Sequence, residues 1–71
     1  MKYRVTIPFK AVYRKSDGSS EFIQMEPGSV FSIRKHVQSG MVIIMHERRA
    51  LFVFMSDVDS RCETVLRDDN L

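Results

Sequence analysis

The side chains best suited to chemistry in this sequence are one cysteine, two histidines and two closely spaced aspartates: Cys62, His36, His46, Asp57 and Asp59. A nucleophilic thiol needs a neighbouring base, and no histidine stands at a spacing that brings one to Cys62, so this residue is expected to be buried and structural. Zinc takes three or four ligands from Cys, His and carboxylates. Neither histidine has such a partner at ligand spacing, and in the strand register described below they fall opposite Val42 and Ser32 rather than each other. Asp57 and Asp59 lie in Ser56-Asp57-Val58-Asp59, which has the Ser-x-x-Asp spacing of a helix N-cap. They are expected to serve backbone N–H groups, not acid–base work. No glycine-rich phosphate loop, Ser/His/Asp set or Walker-type motif occurs. The expectation is a protein without enzymatic activity, with no catalytic residue, no metal and no cofactor.

What then holds so short a chain together? Its 71 residues suffice for one domain, expected over residues 1–66 with a flexible tail at 67–71. At this size folding buries only roughly 60% of the surface that the unfolded chain exposes. One cysteine forbids an intrachain disulfide, so association with a second copy is the first support to look for. The opening Met1-Lys2-Tyr3-Arg4 alternates, and no apolar run resembles a signal peptide or a membrane span. A cytoplasmic protein that does not enter the membrane is expected.

Period-two alternation dominates the pattern. From Tyr3 to Tyr13 the odd positions are Tyr3, Val5, Ile7, Phe9, Ala11 and Tyr13, the dry side of a strand with a bend or an unpaired edge expected at Pro8. Ser16–Ser20 reads as a turn, Phe22–Met25 as a short strand, and Pro27-Gly28 as the centre of a turn with positive φ at the glycine. Val30–Val37, Met41–Glu47 and Ala50–Met55 read as strands joined by Gln38-Ser39-Gly40 and by an Arg48-Arg49 tip. One helical or 3₁₀ turn and a last strand at Cys62–Leu66 follow.

The order of these pieces resembles the SH3-like barrel. Ala11-Val12-Tyr13 leads into a polar loop, Glu21-Phe22-Ile23 and Pro27-Gly28 follow, and then come Val30-Phe31-Ser32-Ile33 and the Ser39-Gly40 turn. The resemblance spans roughly residues 9–66 and implies an all-β domain, a small barrel of five to six antiparallel strands with one helical turn near the C-terminus. It does not extend to the groove with which SH3 domains hold proline-rich peptides. Lys15 stands at the second aromatic position, Met41-Val42 at the tryptophan position, and the chain has no tryptophan. A polyproline helix needs flat aromatic walls, so that activity is not expected.

The hairpin from Met41 to Met55 is apolar on both sides. In the expected register Lys35 faces Ile43, Met45 faces Phe52 and Ile43 faces Phe54. Phe31, Ile33, Val37, Met41, Ile43, Met45, Phe52 and Phe54 then share one side, expected as the barrel core. Val42, Ile44, Leu51, Val53 and Met55 share the other. A small barrel has one interior, so these five are expected to face outward as a patch of a few hundred Å² that binds a second copy, as a homodimer, or another protein, the alternative being that the long first strand or the C-terminal segment folds back to cover them within the monomer.

Charge supplies the alternative. Residues up to Lys35 hold seven Lys or Arg against three Asp or Glu, whereas the rest hold four against six. Lys2, Arg4, Lys10, Arg14 and Lys15, with Tyr3 and Tyr13 nearby, form a basic N-terminal stripe of the kind with which small barrels bind nucleic acid.

Overall fold

The computed structural model describes residues 1–66; the tail expected at 67–71 lies outside the described residues. Seven strands and one short helix follow in order: β1 (Lys2–Val5), β2 (Phe9–Arg14), β3 (Ser20–Met25), β4 (Val30–His36), β5 (Met41–His46), β6 (Arg49–Phe54), α1 (Met55–Arg61) and β7 (Cys62–Val65). They form one antiparallel sheet in the order β3-β2-β6-β5-β4-β1-β7. The expectation of an all-β domain holds. The strand count is seven because the long first segment divides at Thr6-Ile7-Pro8, around the proline that cannot donate to a ladder. Among the described residues, the end strands β3 and β7 are not paired with each other, so the sheet does not close.

Turn chemistry fixes much of this path. Ser29 N–H donates to Glu26 C=O at 3.1 Å across Pro27-Gly28, and Gly28 takes φ +92°, a combination that suits a type II turn. The turn is stitched to β1, with Gly28 N–H on Val5 C=O at 2.8 Å and Val5 N–H on Ser29 C=O at 2.9 Å. After β1 the chain is held by α1, whose Arg61 C=O accepts from Thr6 and Ile7 N–H.

The helix runs for seven residues, longer than the single turn expected, and starts one residue before Ser56. Phe54 occupies the N-cap with no side-chain bond, so neither Ser56 nor the two aspartates cap it. Instead Asp57 sits in the first turn, where the helix dipole favours a carboxylate, and pairs with Arg61 one turn later at 3.3 Å. Val58 plugs the interior.

The core is Val5, Phe9, Ala11, Met25, Phe31, Val42, Ile44, Leu51, Val53 and Val58, with no polar residue buried among the described ones. Ile44 and Leu51 are 0% exposed and Val53 1%. Four of the five residues expected to face outward are therefore the centre of the monomer's own interior. The fifth, Met55, begins α1 and packs against the core, its N–H donating to Gly40 C=O at 2.8 Å. The physical reason lies in β4. Lys35 pairs with Ile43 as expected, but the next pair is Ile33 with Ile44, which leaves Arg34 as an extra residue in a bulge. One inserted residue turns every side chain beyond it to the other face. Phe31 and Ile33 thus join Val42 and Ile44, and the side expected as core becomes the outside.

The second hairpin also differs, with no such consequence. Its tip is Glu47-Arg48, since His46 pairs with Arg49 and Met45 with Ala50. This moves Phe52 from Met45 to Ile43, an offset of two residues that keeps each side chain on its side. Both tip residues have positive φ, 50° and 68°, as a two-residue turn of the twisted hairpin type requires.

A candidate recognition surface on the outward sheet face

Cross-strand pairing defines the outward face. Phe22 of β3 pairs with Val12 of β2, Val12 with Phe52 of β6, Phe52 with Ile43 of β5, and Ile43 with Lys35 of β4. Met41, Met45 and Phe54 lie beside this row on the same side. Val12, Met41, Ile43, Met45 and Phe52 are half-buried, while Phe22 is 72% exposed and Phe54 52%. At about 4.8 Å per strand the row from Phe22 to Lys35 runs about 19 Å across the sheet.

Cations are set into this face. Lys10 Nζ stands 5.7 Å from the Phe22 ring centre and the Arg14 guanidinium 5.4 Å from that of Phe52, both within cation–π range. Arg34, released from the ladder by the bulge, reaches Met45 Sδ with Nη1 at 3.5 Å. Among the described residues Lys10, Arg14, Arg34 and Lys35 have no carboxylate within ion-pair distance; the ion pairs are Arg4–Glu63, Lys15–Glu21, His46–Glu47 and Arg61–Asp57. The basic stripe read from the sequence is therefore divided. Lys10 and Arg14 lie together on the outward face. Arg4 is tied to Glu63 at 2.9 Å and Lys15 to Glu21 at 3.5 Å. Lys2 pairs in register with Ser32 and lies on β1, three strands away from β6. Tyr3 and Tyr13 turn inward, Tyr3 stacked on Phe31 and Tyr13 beneath the Arg49 guanidinium.

A groove of about 340 Å³ opens where β2 and β6 part. Their ladder consists of the single pair Val12–Phe52, against six pairs between β5 and β6. Beyond that pair the strands diverge, leaving a cleft between Lys10, Phe22, Met41, Phe52 and Phe54 with the Asp57–Arg61 pair at its end. Its size is at the lower end of clefts that take small ligands.

The residues first considered for chemistry lie apart from this face or are unsuited to it. Burial and the nearby Asp57 carboxylate push the Cys62 thiol up to about 11, so it stays protonated and weakly nucleophilic at neutral pH. His36 pairs with Val42 as expected, while Ser32 pairs with Met45, and His46 Nδ1 donates to Val30 C=O at 3.2 Å. Among the described residues no three His, Cys, Asp or Glu side chains stand close enough to share a metal ion, and no helix is long and apolar enough to cross a membrane. Comparison with protein-family models, curated proteins and solved structures gave no match.

Proposed function

We propose that the chain is a non-catalytic recognition module that docks an anionic macromolecule through the outward face of β2, β3, β4, β5 and β6. The observation that carries this reading is the union, on one face, of seven apolar side chains with Lys10, Arg14, Arg34 and Lys35, none of them ion-paired among the described residues. Phenylalanine, methionine and arginine are the residues in which binding surfaces are enriched. The resemblance to SH3-like barrels read from the sequence rests on the order of strands and turns alone and adds no activity.

Self-association through the same face is the second reading, favoured by its apolar extent. The charges oppose it. A two-fold interface brings a patch against its own copy, and here that sets cations near cations. Amide shifts on adding labelled polyglutamate test the proposal: changes confined to the outward strands and lost in Lys10→Glu/Arg14→Glu support it. Shifts scattered over the surface, or none at low salt with any polyanion, refute it. Sedimentation separates the second reading, for which a dimer at micromolar concentration is required.

A further inference from the structure

Resting on the reading of the outward face as a docking surface, we infer that its occupant is single-stranded nucleic acid, with bases stacked on Phe22 and Phe54 and phosphates held by Lys10, Arg14, Arg34 and Lys35. A protein partner commonly presents an apolar centre within a charged rim. A matching surface would carry its cations around the patch, yet Lys10 and Arg14 stand over the Phe22 and Phe52 rings, inside it. Each cation is thereby coupled to a flat apolar group less than 6 Å away. A nucleotide has that composition in every unit, a planar base beside an anionic phosphate. An unmodified residue within a peptide offers a carboxylate or an apolar side chain, not both.

Exposure points the same way. Rings as open as Phe22 and Phe54 leave a face free for a base, and stacking of this kind tolerates any sequence. The groove between β2 and β6 adds a recess beside both rings. A duplex fits poorly, because its major groove admits a helix or a two-stranded ribbon, and this face spans five strands. Sheet faces that combine aromatic side chains with basic neighbours are well suited to unstacked single strands.

The test is fluorescence anisotropy of the full chain with labelled oligothymidylate and oligouridylate of about a dozen nucleotides, beside labelled polyglutamate. Four phosphate contacts predict a salt slope of about −2.8, so affinity falls about fifty-fold between about 50 and 200 mM salt. Phe22→Leu and Phe54→Leu keep an apolar side chain at an exposed site and should each weaken oligonucleotide binding about tenfold with the slope unchanged. Lys10→Gln with Arg14→Gln should roughly halve the slope. Polyglutamate bound as tightly as the oligonucleotides, with no effect of either ring substitution, overturns the nucleic-acid assignment and leaves the anionic docking face standing. Absence of binding to all three probes at low salt overturns both.

Discussion

The β5–β6 hairpin presents two rows of similar hydrophobicity in opposite settings. Val42, Ile44, Leu51 and Val53 point inward and are closed from water, whereas Met41, Ile43, Met45, Phe52 and Phe54 point outward and are half-buried or exposed. Nothing in the side chains themselves dictates that assignment. The inward row is completed by Phe31 and Ile33 from β4 and by Val5, Phe9, Ala11 and Met25 from the flanking strands. The outward row meets Val12 and Phe22 and then runs into Lys10, Arg14, Arg34 and Lys35. Burial is thus decided by the neighbouring strands, and the residue that aligns β4 with one row rather than the other is Arg34.

That comparison is broken most severely by removing the bulge. Deleting Arg34 should put Phe31 and Ile33 on the outward side or strain both ends of β4, at a cost near the whole stability of a small domain, about 5 kcal/mol. Loss of a cooperative thermal transition is the expected result, and a transition like that of the parent would show that the bulge does not set the faces. Next in size is a matched pair of truncations. Leu51→Ala should cost about 2–5 kcal/mol in a denaturant titration because it empties a site closed on all sides. Ile43→Ala, on the neighbouring strand with the opposite orientation, should cost about 1 kcal/mol or less. Equal losses would erase the distinction between the rows. The smallest effect sharpens the account of the tip: Glu47→Asn with Arg48→Gly should stabilise by about 1 kcal/mol, since both positions hold positive φ.

How far the sequence led depends on whether a residue carried a local signal. Alternation announced the strands, Pro27-Gly28 announced its turn, and Pro8 marked the interruption between β1 and β2. The oily character of both sides of the hairpin was equally visible. Which side lay inside was not, because a bulge at Arg34 has no glycine or proline to betray it and depends on long-range pairing. The tip at Glu47-Arg48 escaped for a related reason: neither residue is among those that usually accept positive φ. Lys10 and Arg14 were identified as a basic pair, but their seats over Phe22 and Phe52 required the registers of β2 with β3 and with β6. Arg34 and Lys35 were visible as charges and gained meaning only when the bulge turned them toward the same face.

Methyl NMR in the presence of a dissolved paramagnetic reagent measures the orientation of the hairpin directly. The account predicts strong relaxation of the Met41, Ile43 and Met45 methyls and protection of the Val42, Ile44, Leu51 and Val53 methyls. Protection of both sets, or relaxation of the second in preference to the first, would contradict it.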